Sequence, residues 1–409
     1  MKEIEYKSKL KDLNEQDIAS LSEFYHRDIK LQWSRSLLPP ARPLYSPNCL
    51  VYMKSYYKAK VSIVIPHYNE VMTLLLTTIT TIVYRTPPKY LYEILLIDDC
   101  SDKNEAVEIK EYADALNIPV KLLRNKERLG IADSRLYGIS IAGGDVIAIL
   151  DSHMEVGEGW LEPLLHIIKD KPKSIAVPSM RMMREDEEGV QWKHVIMTTI
   201  MQYGFGFINF GTDYDPKDED KHIPLMTPSL MGGALVAYKT MLEEYYPRGL
   251  FSKSWGVENN RLAIRTWLCG EGIYTTGCSF VKHTQGKDLN LMRYFTPELW
   301  TNLKQESVAE ILNFIPTWDE KLRLIKRFLR IQDQFNALFN ISAIIKSEFD
   351  PAQHQCPRDY EWYLNNVYSD YNSLDHMNSD FVGEAQSVMN QALCIEANLD
   401  EGAKVTVHR

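Results

Sequence analysis

A chain of 409 residues with a formal net charge of −9 has room for two or more lobes, or for one elaborated α/β domain. That charge argues against a general nucleic-acid binder, and six cysteines without a CxxC pair argue against a zinc ribbon or a thioredoxin-type site. No apolar run is long enough to cross a bilayer, and the start Met1-Lys2-Glu3-Ile4-Glu5 has no signal-peptide core, so the expectation is a soluble, cytoplasmic protein.

Residues 1–60 read as an N-terminal arm. Asp12 to Glu23 suits a short helix, and the prolines Pro39, Pro40, Pro43 and Pro47 then break periodicity, which predicts an extended wrap. From Val61 the pattern becomes strand and helix in alternation. Val61 to Pro66 is a buried strand, and Asn69 is predicted to cap a helix that runs to about Tyr84. Glu93 to Ile97 is a second strand ending in Asp98-Asp99, followed by a helix from about Asn104 to Leu116. Val120 to Leu123 is a strand, Gly130 to Ala142 a helix, and Val146 to Leu150 a strand ending at Asp151. Trp160 to Ile168 is helical and Ser174 to Val177 extended. The alternation is the mark of a mostly parallel sheet with crossover helices.

Beyond Arg181 the chain is polar up to Pro224, with an acidic run, Glu185-Asp186-Glu187-Glu188, read as a solvated face. The aromatic patch Tyr203 to Phe207 reads as packing before it reads as a substrate platform. Gly232-Gly233 precede a strand, where paired glycines either let the backbone approach a ligand or make only a tight turn. Arg261 to Leu268 is a helix, and the strand Ile273 to Val281 delivers His283 and Lys287. Thr301 to Phe314 and Asp319 to Ala337 look amphipathic and helical, Glu361 to Val367 is a short aromatic helix, and the tail after about Ser373 is polar.

Asp151-Ser152-His153 carries the chemistry. A carboxylate and an imidazole leave the C-terminal end of a buried strand, where open α/β sheets bind their ligands. Residues i and i+2 of an extended segment point the same way, so an oxygen and a nitrogen ligand can share one divalent metal and through it a diphosphate. The plain alternative is that Asp151 caps the next helix and His153 is a surface histidine. Glu70, Asp98-Asp99 and Asp151 all end neighbouring strands. Such an acidic crevice repels free phosphate but suits a nucleoside plus a metal. No Walker loop and no GxGxxG follows the first strand, which weakens kinase and dehydrogenase readings. Glu258 beside Trp255 fits a sugar site, or else a helix start with a packed tryptophan.

These landmarks, taken in order, resemble the polypeptide N-acetylgalactosaminyltransferases, a family of GT-A glycosyltransferases. They are Tyr68-Asn69-Glu70, the strand to Asp98-Asp99, Arg128-Leu129-Gly130 with Arg135, Leu150 to Glu155, Gly159 to Leu165, Thr227-Pro228 to Gly232-Gly233, Trp255 to Asn259, Trp267 to Gly270, Cys278-Ser279 with His283, and Glu361 to Tyr368. The resemblance spans roughly residues 45 to 370. It implies a GT-A fold: a Rossmann-like, mostly parallel α/β sheet flanked by helices. It divides the chain into an arm (1–60), a catalytic domain (61–290), a helical extension (291–370) and a tail (371–409). Within the catalytic domain, 61–180 is the nucleotide half and 181–290 the donor-sugar and acceptor half.

The resemblance also implies roles. Asp151, His153 and His283 would bind Mn2+. Asp99, Arg128 and Arg135 would face the uridine of a UDP-sugar, with Ser152 also among the donor-binding residues. Gly233, Glu258 and Asp151 would lie by the donor sugar, and Trp255 would cover the diphosphate from a mobile loop. The implied reaction is a retaining transfer of a hexosamine, GalNAc by family analogy, to a serine or threonine hydroxyl of a polypeptide. The sequence departs from the family at Val257, where a glycine is usual, at Asp133, near a family arginine, and at Pro66-His67-Tyr68. It also lacks the arginine that follows the third metal ligand, so either Lys287 substitutes or that charge is lost. The tail is too short for the lectin domain many relatives carry. Bridges Cys49–Cys278 and Cys269–Cys356 are implied as well, with Cys100 and Cys394 free. If the bridges form, an oxidising, Golgi-type lumen replaces the cytoplasmic expectation. Two other functions stand beside the peptide transferase: the same UDP-sugar chemistry on a glycan, small molecule or modified base, and a non-catalytic sugar-nucleotide binder.

Overall fold

The computed structural model describes residues 49–55, 57–115, 119–186, 189–201, 207–213, 223–230, 232–246, 257–283, 356–367, 385–387, 390–397 and 405–408. The predicted helices 301–314 and 319–337, most of the aromatic patch (203–206), Trp255 and Lys287 lie outside them.

Four parallel strands make the first half of the main sheet. They are β1 (Val61–His67), β2 (Leu91–Asp98), β3 (Val120–Arg124) and β4 (Val146–Leu150), ordered β3-β2-β1-β4. The chain steps outward from β1 to β3, then returns to the other side of β1. The switch point therefore lies between β1 and β4, where such sheets bind ligands beyond their carboxyl ends. β1 and β4 are near-continuous apolar runs because both faces of the sheet are covered. On one face pack the helices α2 (Met72–Arg85), α3 (Ala106–Ala115) and, further along, α5 (Glu162–Asp170). On the other lie α4 (Ile131–Ile141), α6 (Lys239–Tyr245), α7 (Val257–Cys269) and α8 (Tyr360–Asn366). A five-residue helix, α1 (Leu50–Lys54), begins the described chain.

The second half of the sheet is mixed. β10 (Ala234–Tyr238) runs antiparallel to β4, with Ala234 opposite Leu150. β6 (Ser174–Asp186) and β11 (Gly272–His283) follow, and β5 (Met154–Val156) closes the edge with Met154 opposite His283. β6 and β11 run in the direction of β4, and β10 and β5 against it. The register thus brings the ends of β1, β4 and β11, and the start of β10, to one place. β9 (Leu225–Met226) pairs with β11.

Several expectations are corrected. Asn69 caps no helix: α2 starts at Met72 behind Val71, without a side-chain cap. Instead, Asn69 exchanges hydrogen bonds with Asp102, donating from Nδ2 (3.0 Å) and accepting from its backbone N–H (2.8 Å), and so ties the β1 and β2 loops together. Trp160 precedes α5 rather than opening it; it is fully buried and donates Nε1–H to Thr86 Oγ1 at 3.1 Å. The polar stretch after Arg181 is not featureless. β6 continues to Asp186 and pairs with β7 (Gly189–Met201), which pairs with β8 (Phe207–Asp213), all antiparallel. Long-range pairing makes strands there that local pattern does not announce. In the tail, β12 (Ala385–Ser387), β13 (Asn390–Ala397) and β14 (Val405–His408) form a separate antiparallel sheet.

Both implied disulfides are present, Cys49–Cys278 and Cys269–Cys356, and Cys100 is free. They fit the oxidising alternative, and the cytoplasmic expectation gains no support. Among the described residues no helix is long and apolar enough to cross a membrane.

Candidate functional site

Asp151, His153 and His283 converge. One ligand atom from each lies within 4.8 Å of the others. His153 and His283 meet edge to face, with their Nε2 atoms 3.2 Å apart, and His283 Nε2 is 3.8 Å from Asp151 Oδ2. The plain alternative fails on both counts. The next helix, α5, has Leu161 before it and no side-chain cap, and the His153 side chain is only 14% exposed. One carboxylate and two imidazoles are a donor set that first-row divalent cations accept.

The backbone around Asp151 is held tightly. Its N–H donates to Gly233 O at 2.8 Å, a bond that follows from the β4–β10 register. A Cβ on Gly233 would lie 2.9 Å from Asp151 Oδ2 and 2.7 Å from the end of Met154. Gly233→Ala is therefore expected to push on the Asp151 carboxylate and weaken any divalent-cation binding at this triad by about tenfold, the low end for disturbed ligand orientation. Titration calorimetry on the variant and wild type checks this. Gly232 has φ +78° and abuts Asn259, which only glycine tolerates. On the far side, α2 grips the loop after Asp151. Thr78 Oγ1 donates to Ser152 O at 2.8 Å and Arg85 to Val156 O at 2.8 Å.

Beneath the metal position lies Arg135, 2% exposed. Its Nη2 donates to Asp151 Oδ1 at 2.9 Å and its Nη1 to Glu258 Oε1 at 3.1 Å. Burial opposes the guanidinium charge, but Tyr246, Asp151 and Glu258 more than offset it and raise its pKa further. Burial likewise acts to raise the Asp151 carboxyl, while His283, Arg135 and His153 outweigh it and keep Asp151 below the usual carboxylate range. Arg135 thus sits between two carboxylates, Asp151 and Glu258. Glu258, in the first turn of α7 and 1% exposed, is fixed by the same arginine.

Asp99 forms a separate knot at the end of β2. It accepts from Asn125 Nδ2 (3.0 Å), Leu129 N–H (2.8 Å) and Gly130 N–H (2.9 Å), the last two at the start of α4. Three of its acceptor directions are thus already filled. Arg128 lies 3.8 Å from Asp99 and stacks its guanidinium 3.6 Å from the centre of the Tyr68 ring. Asp99, Arg128 and Tyr68 gather past the ends of β1 and β2, and Asp151, Ser152, His153, Gly233 and His283 past the ends of β4 and β11 and before β10. Glu70, read from sequence only as one of several acidic strand ends, lies in the loop past β1 and bonds Ser152 and His153; a buried Lys282–Glu155 ion pair, which carried no role in the sequence reading, joins β11 to β5 beside His283. Glu70 was open to inference, since a carboxylate just past β1 faces the end of β4 in any 3-2-1-4 sheet.

Fold and site define the class: a glycosyltransferase domain of the GT-A type. The sequence model described as glycosyl transferase family 2 matches residues 62–242. The crystal structure of GalNAc-T7 with UDP, GalNAc and Mn2+ superposes with a TM-score of 0.59 at 25% identity, covering 82% of this chain and 62% of that one. Polypeptide N-acetylgalactosaminyltransferase 13 of Homo sapiens is 28% identical over 326 residues, 76% of this chain and 54% of that protein. The inactive polypeptide N-acetylgalactosaminyltransferase-like protein 5 of Macaca fascicularis is 33% identical over 333 residues, 77% of this chain and 70% of that protein. The chain belongs to the polypeptide N-acetylgalactosaminyltransferase family. It spans about half the length of relatives such as the human protein.

Proposed function

We propose that the chain transfers a sugar, GalNAc in the first instance, from a UDP-sugar to a serine or threonine hydroxyl of a polypeptide, with retention of configuration. The observation that carries this is the convergence of Asp151, His153 and His283 at the switch point of the sheet in a member of this family. The donor set fits Mn2+, and those three side chains would hold it. When bound, the ion supplies Lewis-acid neutralisation of the diphosphate charge. Arg135 bonds Asp151 and Glu258, the carboxylates that would lie by the donor sugar, and holds them fixed, so no reorganisation is needed as charge develops. Asp99 shapes the loop that presents Arg128 and Tyr68 to the nucleoside. The hydroxyl's proton passes to the departing β-phosphate, so no side chain is assigned as general base. The two disulfides support an oxidising compartment in this reading.

A second reading, a sugar-nucleotide binder without turnover, draws on the relative named as inactive and on Val257. UDP release from UDP-GalNAc, UDP-GlcNAc and UDP-glucose, with Mn2+ and a mixed Ser/Thr peptide library, separates the two. Turnover that requires peptide, with the added mass on peptide, is the expected result. Release without peptide modification points to a different acceptor. UDP binding with no release from any donor establishes the binder.

A further inference from the structure

We propose that Glu70 is the positioning residue of the metal centre: its carboxylate fixes the tautomer and ring orientation of His153 across the switch point of the sheet. The inference rests on the metal reading above and extends it to a residue outside the ligand set.

Glu70 lies in the loop just past β1, and His153 just past β4, 83 residues along the chain. The Glu70 side chain is 5% exposed. Its Oε2 accepts from Ser152 Oγ at 2.6 Å and lies 2.8 Å from His153 Nδ1, and its Oε1 takes the Val71 N–H at 2.7 Å. An ionised carboxylate only accepts, so the proton of the contact sits on Nδ1. A neutral His153 then has its lone pair on Nε2, the atom that faces His283. This is the arrangement by which a carboxylate behind a ligating imidazole selects the ligand nitrogen and raises its basicity. The same carboxylate consumes the Ser152 hydroxyl proton. Ser152 thereby braces the loop that carries His153.

The test compares wild type with Glu70→Ala and with Glu70→Gln, which keeps the size but offers an amide N–H where Val71 or His153 needs an acceptor. Nitrogen-15 NMR of the His153 ring in metal-free protein, above the pH at which imidazole is neutral, reads the tautomer. Calorimetry reads Mn2+ affinity, and thermal melting verifies the fold. The expected result is Nδ1–H in wild type, a mixed tautomer in both variants, and a 10- to 100-fold loss of Mn2+ affinity in folded protein. An Nε2–H ring in wild type overturns the proposal, as does unchanged tautomer and affinity in either folded variant. A wild type with the Nδ1–H ring but no Mn2+ affinity overturns the metal role and the reading beneath it, leaving only the hydrogen bond.

Discussion

Replacing Arg135 with methionine is expected to lower the stability of the metal-free protein by about 3–5 kcal/mol, the usual cost of removing one partner from a buried ionic group. The guanidinium is the shared partner of Asp151 and Glu258, and both carboxylates would be left inside the protein without it. Methionine fills similar volume, so a cavity is not the cause. Chemical denaturation in the presence of a chelator measures the change. The sign of the pH dependence follows from Asp151, whose folded-state pKa is depressed by Arg135 and its other partners. Its contribution to wild-type stability is complete above the ordinary carboxylate pKa and fades as pH falls through the lower, folded value. The gap between wild type and variant should therefore shrink on acidification. Added Mn2+ should also shrink it, by giving Asp151 a new partner. A gap independent of both pH and Mn2+ would mean that Arg135 acts through packing alone.

His283→Ala should leave the fold intact and cost Mn2+ binding at least about a hundredfold. Outer-shell changes alone cost 10–100-fold, and this change removes a ligand. The side chain ends β11 and is 22% exposed. UDP binding that depends on Mn2+ should vanish with it. Calorimetry with unchanged affinity would remove His283 from the centre.

The parallel half of the fold was legible because buried strands such as β1 and β4 are apolar throughout and alternate regularly with helical segments. Val146 to Leu150 followed by Asp151 could be placed at a strand end from pattern alone. His283 could not be joined to it by pattern. The β11–β5 pairing that sets His283 beside His153 links positions 130 residues apart, and only the family resemblance anticipated it. Arg135 was assigned to the uridine side by the family resemblance alone. Its hydrogen bonds to Asp151 and Glu258 join carboxylates from two other elements, and no local signal announces them. The β6–β7–β8 hairpins were missed for a related reason: their polar sequence gains strand structure only from neighbours.

Diffraction from crystals soaked with Mn2+ and UDP, recorded for the manganese anomalous signal, tests the central claim most directly. One peak bonded to Asp151, His153 Nε2 and His283, and touching the diphosphate of the bound nucleotide, is the predicted result. UDP in the crevice with no peak there, or a peak that leaves either imidazole without a bond, would contradict it.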